Sequence, residues 1–390
     1  RDHSEQKVYS HVGPHALRKK EGEEVSIIVT GCVAQQEGEA LTRRFPEIDV
    51  VMGPQYSNRM YDILTSISSG YQLVITDPTY QSEDLSLPHR ASDVTAWVNI
   101  IYGCNERCTY CVVPTTRGVE QSRTVQAIVR EVESLVREGY REVTLLGQNV
   151  DAWGRDMSPK QKFADLLTAV GQVPGIGRVR FLTSHPKYMS ERVITAVANN
   201  PVLAKNFNVP FQSGNNEVLR NMRRGYTRER YLEIVKNIRK HTPDASITAD
   251  VIVGFPGETE EQFEETLDLM REVEFELVNT AAYSPRPNTP AALWDIQVDE
   301  VVKQDRLQRI NRLVTEHAMK RSQRFLGRTQ EVLVEDVNPK RPGQVMGRND
   351  HNKIVFFDGD IHVLKGKFVP VLITEARPFS LTGQIAGKPR

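Results

Sequence analysis

The sequence has few cysteines, no long apolar run and no excess of charge of either sign. Four cysteines occur among 390 residues, which is too few for the disulfide framework of a secreted protein. No apolar run approaches the roughly 20 residues of a membrane span, and residues 1–7 lack the apolar segment of a signal peptide. We therefore expect reduced, metal-binding cysteines, a cytoplasmic location and no membrane partner.

The balance of charges limits the classes of partner. The chain contains 50 Lys and Arg and 50 Asp and Glu, so its formal net charge is zero. Any nucleic-acid-binding surface must therefore be a local patch. The length suggests two or three domains, and 39% hydrophobic with 26% charged residues is typical of a folded protein with a sizeable core.

Three of the cysteines stand close together in the run Cys104-Asn-Glu-Arg-Cys108-Thr-Tyr-Cys111. A structural zinc site needs four ligands, and an ordinary iron–sulfur cluster is held by four thiolates. Three thiolates in one loop therefore indicate a cluster with one iron open to a substrate or cofactor. A zinc knuckle that takes the distant Cys32 as its fourth ligand stays open as an alternative.

The pattern along the chain predicts an α/β fold in its first two thirds. Residues 1–75 alternate strand and helix signals, with strands at 25–30 and 49–52, and residues 76–94 are polar and indicate a linker. From residue 95 a regular βα alternation predicts a partial (βα)6 barrel. Its strands are predicted at 96–102, 142–146, 179–183, 206–211, 246–254 and 277–283. Its helices are predicted at 125–138, 163–170, 190–198, 227–241 and 259–274.

The C-terminal third changes character. Residues 299–326 have the pattern of one long amphipathic helix, and short strands separated by turn signals follow it. These strands predict a small antiparallel β-barrel, at 329–334, 345–347, 353–357 and 367–375.

Polar side chains follow the predicted strands of the central region. In parallel α/β folds, function lies at the carboxyl ends of the strands, and the cysteine loop follows the first strand. Asp250 lies inside an apolar strand and therefore has to be paired. The candidate cofactor-binding residues are Gly147, Gln148, Asn149, Ser184, Gln212, Ser213 and Asp250.

The cysteine motif, placed after the first strand of a six-unit β/α region, resembles the radical S-adenosylmethionine (SAM) superfamily. The resemblance implies a [4Fe-4S] cluster on Cys104, Cys108 and Cys111, which act as catalytic and metal-binding residues. It also implies that the open iron binds SAM, and that an electron from the cluster cleaves the sulfonium to a 5′-deoxyadenosyl radical.

Further motifs resemble the methylthiotransferase branch of that superfamily. They are Cys108-Thr-Tyr-Cys-Val-Val-Pro114, Thr183-Ser-His-Pro186, Gln212-Ser-Gly214 and Asp250-Val-Ile-Val-Gly-Phe-Pro-Gly-Glu258. The segment Leu146-Gly-Gln-Asn-Val150 looks like the subfamily that modifies isopentenyladenosine in tRNA, and the C-terminal barrel is similar to the RNA-binding TRAM domain. The resemblance covers essentially the whole chain.

The N-terminal region departs from the family pattern. The family holds a second [4Fe-4S] cluster on three cysteines there, and Gly31-Cys32-Val-Ala-Gln35 matches the third of those motifs. We therefore expect a truncated N-terminal methylthiotransferase domain with one ligand, Cys32, of the second cluster. The predicted domains are 1–75, a linker 76–94, a radical SAM core 95–322 and a TRAM domain 323–387.

Local basic clusters predict where RNA binds. One cluster surrounds Gly225-Tyr226, and the tail from Arg321 to Arg390 carries 12 Lys and Arg against 7 Asp and Glu, an excess that suits phosphate contacts. Phe356, Phe357 and Phe368 are more typical of a barrel core than of base stacking. The basic candidates are Arg220, Arg223, Arg224, Arg228 and Arg230, with Lys340, Arg341, Arg348, Lys365 and Lys367 in the tail.

The resemblance implies methylthiolation of C2 of N6-isopentenyladenosine beside the tRNA anticodon. The partners would be the tRNA anticodon stem-loop and an electron donor such as flavodoxin or ferredoxin. Within the class, threonylcarbamoyl-adenosine or a ribosomal protein is the alternative substrate. Outside the methylthiotransferases, the alternative is a non-enzymatic RNA-binding protein whose fold is stabilised by a bound metal.

Overall fold

The computed structural model describes residues 2–67, 72–79 and 90–390. They form a small N-terminal α/β unit, a central α/β unit and a C-terminal closed barrel. Most of the predicted linker, at 80–89, lies outside the described residues. Across the part that is described, no helix combines the length and the apolar character needed to cross a membrane.

The N-terminal unit is a three-stranded parallel sheet in the order β1-β2-β3. Residues 50–52 of the middle strand are fully buried. The elements are α1 (Asp2–Lys20), β1 (Ile28–Thr30), α2 (Cys32–Glu37), α3 (Glu39–Arg44), β2 (Val50–Met52), α4 (Met60–Ile67) and β3 (Leu73–Ile75). Gly38, at φ 49°, separates α2 from α3. The sequence pattern did not indicate α1, whose apolar stripe is weak, or β3, which has three residues.

The central unit contains six parallel strands, hydrogen-bonded in the orders β4-β7-β8 and β9-β10-β11. A bridge between Val179 and Leu203 connects the two groups. The six parallel strands are β4 (Thr95–Asn99), β7 (Glu142–Leu146), β8 (Arg178–Phe181), β9 (Asn206–Asn208), β10 (Ser246–Val253) and β11 (Leu277–Ala282). Two further strands, β5 (Ile101–Tyr102) and β6 (Gln121–Ser122), form a separate antiparallel hairpin. This arrangement confirms the predicted partial (βα)6 barrel.

Helices cover the outer face of these strands. They are α5 (Val113–Arg117), α6 (Val125–Arg137), α7 (Phe163–Gly171), α8 (Glu191–Asn199), α9 (Asn216–Asn221), α10 (Arg228–His241) and α11 (Glu260–Val273). Four of them begin after a Ser or Thr whose hydroxyl accepts a hydrogen bond from the first turn, namely Thr124, Ser190, Thr227 and Thr259. Such caps satisfy amide donors that have no partner inside the helix, so the sequence itself marks where these helices begin.

Helix α12 (Glu300–Gln323) leads into the C-terminal barrel, which closes in the order β12-β13-β14-β16-β15. The barrel contains β12 (Thr329–Val337), β13 (Gln344–Asn349), β14 (Ile354–Asp358), α13 (Ile361–Leu364), β15 (Phe368–Ala376) and β16 (Ser380–Ile385). Four neighbouring pairs are antiparallel, and β14 and β16 are parallel. Strand β16, which the sequence pattern did not indicate, closes the barrel.

The barrel lies against the amino ends of β7 and β8. Glu142 begins β7, and its two carboxylate oxygens accept from Arg178 Nη1 at 3.1 Å and Arg180 Nε at 2.9 Å. The same arginines donate to barrel carbonyls, with Arg180 Nη2 at 2.6 Å from the oxygen of Asn349 and Arg178 Nη1 at 3.0 Å from that of Arg348. All three side chains are 3 to 4% exposed. We call Glu142, Arg178 and Arg180 the arginine clamp.

Candidate active site

The three clustered cysteines line one cavity at the carboxyl ends of the central strands. The cavity has a volume of about 170 Å³. Its walls come from the cysteine loop and from the segments that follow β7, β8 and β9. They are Cys104, Glu106, Cys108, Tyr110, Cys111, Val113, Gln148, Asn149, Thr183, Ser184, His185, Pro210, Gln212 and Arg224.

The cysteine loop is held closely against the segment that precedes β6. Gly103 has φ 65°, and a Cβ there would lie 2.0 Å from the carbonyl oxygen of Val119, so only glycine fits. The Cys104 amide donates to Gly118 at 3.1 Å, and the Cys111 amide donates to Cys108 at 3.0 Å. All three cysteines of this loop line the cavity.

Burial makes ionisation of the Cys104 thiol unfavourable. Burial raises the pKa of the Cys104 thiol to about 12, and negative charge at Glu120 and the other two cysteines adds to the shift. Burial also raises the pKa of Glu120. Thiol ligands must lose their protons when they bind a metal, so ionisation of Cys104 is coupled to the binding of a positively charged group.

Three buried side chains of the cavity have polar atoms without hydrogen-bond partners. Both amide atoms of Asn149, Oγ of Ser184 and Nε2 of His185 have none, and the three residues are 2 to 5% exposed. Buried polar groups are nearly always hydrogen-bonded, so an unsatisfied group points to a missing ligand, ion or water. These atoms share a cavity with three thiols, and they suit a polar ligand beside a metal cluster.

The ring of His185 is neutral and has a definite orientation. Burial lowers its pKa to about 2, and the charges of Arg224 and Lys187 lower it further. Nδ1 accepts from the Lys187 amide at 3.1 Å, so Nε2 carries the proton. The neutral ring therefore presents a hydrogen-bond donor to the cavity.

Asp151 fixes the loop that carries His185. Its carboxylate oxygens accept from the His185 amide at 2.9 and 3.0 Å, and burial raises the Asp151 pKa well above its ordinary value. Thr183 lies next to this loop at φ 63°, which is unfavourable for a β-branched residue. Such strained positions cluster at functional sites.

Three of the predicted cofactor-binding residues do not line the cavity. A Cβ on Gly147 would lie 2.3 Å from Cγ2 of Ile101, so this glycine permits close packing of two strands. Ser213 is buried, 3.4 Å from the hydroxyl of Thr266. Asp250 accepts from the side-chain amide of Asn279 at 2.9 Å, which provides the partner that the sequence argument required. Gln148, Asn149, Ser184 and Gln212 do line the cavity.

The structure adds site residues that the sequence argument missed. Arg224 was assigned to a basic surface, but it is 6% exposed, and its Nη1 donates to Cys108 Sγ at 3.3 Å. Glu106, inside the cysteine loop, accepts from Lys187 Nζ at 3.0 Å and also from the hydroxyl of Tyr188. The spacing of Arg224 from Cys108 along the chain gave no signal of this contact.

The donor set at the cavity fits a cluster better than a single ion. Within the described ranges, no group of three or more His, Cys, Asp and Glu side chains is arranged to hold one metal ion. Three thiols that line one cavity, beside polar atoms without partners, instead suit an iron–sulfur cluster in which one iron has an exchangeable ligand. The geometry thus gives no support to a zinc knuckle.

Cys32 lies in the N-terminal unit on the side that meets the cysteine loop. It begins α2, and α2 contacts α5, which starts two residues after Cys111. Gln55 Nε2, from the same unit, lies 3.5 Å from the carbonyl oxygen of Thr116 in α5. The N-terminal unit therefore packs directly beside the three-cysteine loop.

A groove on the C-terminal barrel combines basic and aromatic side chains. Its volume is about 460 Å³, and Lys340, Arg341, Arg377, Met346 and Phe356 are among its walls. The neighbouring aromatic residues have other roles, because Phe357 lies in the barrel core and Phe368 packs between the barrel and the central unit with Val94 and Leu333.

Three family models match separate parts of the chain. Residues 98–270 match the Radical SAM superfamily, residues 323–386 match the TRAM domain, and residues 1–53 match the Uncharacterized protein family UPF0004. The first match contains the cysteine loop and most of the cavity. The second corresponds to the closed five-stranded barrel.

Solved structures share the fold at low sequence identity. The radical S-adenosylmethionine methyltransferase TsrM from Kitasatospora setae, with cobalamin and a [4Fe-4S] cluster bound, is 18% identical, with a TM-score of 0.57 over 72% of this chain and 61% of that one. The cobalamin-dependent S-adenosylmethionine radical enzyme OxsB, with aqua-cobalamin bound, is 11% identical, with a TM-score of 0.55 over 77% of this chain and 46% of that one. The chain thus spans 61% and 46% of the lengths of these proteins.

The matched region and the site agree with each other. The radical SAM match covers the strand ends and the loop that bring three thiols to one cavity, and the fold is shared with solved radical SAM proteins. Residues 98–270 therefore form a radical SAM domain, and the UPF0004, radical SAM and TRAM matches together fit the methylthiotransferase family.

Proposed function

We propose that this enzyme methylthiolates C2 of N6-isopentenyladenosine beside the anticodon of tRNA. The observation that carries the proposal is the cavity, where three thiols lie beside the unpartnered polar atoms of Asn149, Ser184 and His185. Such a site suits a metal cluster together with a polar cofactor. The TRAM match and the sequence Gly147-Gln148-Asn149 support RNA as the substrate.

Different residues of the cavity would bind the cluster and SAM. Cys104, Cys108 and Cys111 would hold a [4Fe-4S] cluster, and Asn149 and Ser184 would form hydrogen bonds to SAM. When bound, the cluster supplies one electron that cleaves the SAM sulfonium and starts hydrogen abstraction from the adenine. The protonated Nε2 of His185 would donate a hydrogen bond to a cofactor acceptor, and the neutral ring is not needed as a base.

The ligand has to extend beyond the cavity. Sites for drug-sized ligands have volumes of about 300 Å³ or more, whereas this cavity measures about 170 Å³. Gln212 connects the cavity to strand β10 of the central unit, because the backbone amide of Gln212 donates to the carbonyl oxygen of Asp250 at 2.9 Å. We infer that the substrate base lies towards Asp250 and Asn279, on the side away from the cysteines.

The N-terminal unit suits the role of sulfur donor by its position. Helix α2 carries Cys32 and contacts the helix that follows the cysteine loop. A second [4Fe-4S] cluster that uses Cys32 would therefore be close to the reacting base. The electron would come from a donor such as flavodoxin or ferredoxin.

The positions of the two RNA-contacting regions favour a long substrate. The TRAM barrel lies at the amino ends of β7 and β8, while the cysteine cavity lies at the carboxyl ends. An RNA that contacts both must pass along the side of the central unit. A folded anticodon stem-loop can do this while its unstacked loop base enters the site.

Two experiments test the proposal. Anaerobically reconstituted protein should form 5′-deoxyadenosine from SAM and reductant, and Cys108→Ala should lose both this activity and bound iron, about four atoms per cluster. Mass spectrometry of tRNA from a strain that lacks the gene should show isopentenyladenosine without its methylthio group. Normal methylthiolation in that strain, or loss from threonylcarbamoyl-adenosine instead, would contradict the proposed substrate.

A further inference from the structure

Arg224 differs from the other buried arginines of the described chain. Four arginines there are less than 9% exposed, namely Arg178, Arg180, Arg224 and Arg306. Three of them are paired with a carboxylate, Arg178 and Arg180 with Glu142 and Arg306 with Glu258. For Arg224, no carboxylate of the described residues lies within ion-pair distance.

The partners of Arg224 are a thiol and a phenol. Nη1 lies 3.3 Å from Cys108 Sγ, and Nε lies 3.3 Å from the hydroxyl of Tyr226. A guanidinium stays protonated in proteins, and a buried charge is costly unless a charge of opposite sign compensates it. The groups that contact Arg224 are uncharged in the chain alone. The Arg224 charge also acts on Asp151, but burial raises the pKa of that carboxyl well above its ordinary value, so a negatively charged group bound at the cysteines would compensate Arg224.

Two hydrogen bonds fix Arg224 against the cysteine loop. The Thr109 amide donates to the carbonyl oxygen of Met222 at 3.2 Å, and the Thr109 hydroxyl donates to that of Asn221 at 2.8 Å. Thr109 directly follows Cys108, so the segment after α9 and the middle cysteine are held together. The Arg224 backbone amide donates to the carbonyl oxygen of Leu219 at 3.0 Å. This hydrogen bond holds the turn that carries the buried Arg224 side chain.

Cys108 is the cysteine where such a contact matters most. It is 7% exposed, whereas Cys104 and Cys111 are partly exposed. Water therefore has least access to this sulfur, and a protein donor replaces it. The potential of an iron–sulfur cluster depends on its net charge, on hydrogen bonds to the sulfurs and on solvent exposure, and Arg224 supplies both a hydrogen bond and a positive charge.

We infer that Arg224 is a positioning residue that acts through the Cys108 thiolate and raises the reduction potential of the radical SAM cluster. The inference rests on the cluster of the proposed function but not on its tRNA substrate. A positive charge and an N–H donor at the sulfur favour the form with one more electron. Arg224 thus makes the cluster easier to reduce by a biological donor.

The test measures the potential of the cluster, not turnover. Reconstituted chains with Cys32→Ala, so that the signal comes from the cysteine loop alone, are titrated anaerobically and followed by electron paramagnetic resonance. With Arg224→Gln we expect unchanged iron content and a tenfold lower equilibrium constant for reduction, which is a shift of about 59 mV to more negative potential for one electron. Arg224→Lys, which keeps the charge, should recover a large part of the shift.

The matched control is Arg192→Gln. Arg192 is exposed and paired with Asp165 on the surface, so its removal takes away the same charge far from the cysteines. We expect the potential to stay at the wild-type value. An equal shift in this variant would overturn the inference, because it would reflect net charge and not the contact with Cys108.

Other outcomes also decide the question. An unchanged potential in Arg224→Gln, or loss of iron from both Arg224 variants, overturns the inference. So does a loss of SAM affinity at an unchanged potential, because it would assign Arg224 to the SAM carboxylate. If the potential shifts as expected while no tRNA is methylthiolated, the proposed substrate fails and the role of Arg224 stands.

Discussion

Two groups of buried polar side chains, the arginine clamp at the amino ends of the central strands and the cavity at their carboxyl ends, differ in how their polar atoms are paired. At the amino ends, both oxygens of Glu142 accept hydrogen bonds from Arg178 and Arg180, the two arginines of the arginine clamp. The same arginines also donate to carbonyl oxygens of the C-terminal barrel. At the carboxyl ends, Asn149, Ser184 and His185 have buried atoms without partners. A satisfied network holds a structure together, whereas an unsatisfied one indicates a ligand. Unpaired atoms alone do not separate the two ends, since Asn206 and Ser246, at the starts of β9 and β10, also have them. The three thiols beside the unpaired atoms distinguish the carboxyl ends as the functional end.

The largest effect is expected from breaking the arginine clamp. Glu142→Gln removes the carboxylate that Arg178 and Arg180 share and leaves Asp350, 3.6 Å from Arg178 Nε, as the remaining negative charge. Removal of one partner from a buried pair costs about 3–5 kcal/mol of unfolding free energy. Denaturant unfolding followed by circular dichroism measures the loss. A matched control is Asp165→Asn at an exposed pair, which should change stability by less than about 1 kcal/mol. Equal losses in both would mean that the clamp does not hold the barrel.

A pH-dependent effect is expected where α12 meets the C-terminal barrel. Lys353 is 5% exposed, its Nζ donates to Ser322 Oγ and to the Pro378 carbonyl, each at 2.8 Å, and burial lowers its pKa from 10.5 to about 8. Between these values the unfolded chain binds the proton and the folded chain does not, so stability from this group rises with pH.

The measurement compares wild type with Lys353→Met across that range. From pH 8 to 10.5, wild type should gain about 1–3 kcal/mol relative to the variant. Below the lower value the difference should stay constant, because both states are then protonated. A difference that stays constant across this range would show that the folded protein leaves the pKa of this lysine at its ordinary value.

The smallest effect on stability is expected at the functional end. Ser184→Ala removes a hydroxyl without a partner, so unfolding free energy should stay the same or rise by up to about 1 kcal/mol. The affinity for SAM should fall about tenfold, since a lost hydrogen bond is worth about 1.4 kcal/mol. Equilibrium dialysis with reconstituted protein measures the affinity.

Ser213→Ala provides the contrast to Ser184→Ala. Its hydroxyl is buried outside the cavity, and the Asn215 amide donates to it at 3.3 Å. We expect a loss of about 1 kcal/mol of stability and an unchanged SAM affinity. The reverse result, with Ser213 needed for SAM and Ser184 not, would assign the cofactor to the other side of the loop after β9.

Much of the central fold could be predicted because its signals are local. The predicted strand at 142–146 agrees with β7, and the predicted helix at 163–170 differs from α7 by one residue. Apolar periodicity and hydroxyl caps act within one element, so no distant residue is needed. Strand β16 has few apolar residues, and its neighbours β14 and β15 define it more than its own sequence does.

The sequence by itself determined the α/β pattern of the central unit and the loop that carries three cysteines. The tertiary structure decided that Arg224 lies buried against Cys108, that Ser213 and Asp250 do not line the cavity, and that the barrel docks at the amino ends of β7 and β8. The reason is physical. Periodicity and caps are properties of neighbouring residues, whereas the partner of a buried charge depends on which distant segments the folded chain brings into contact.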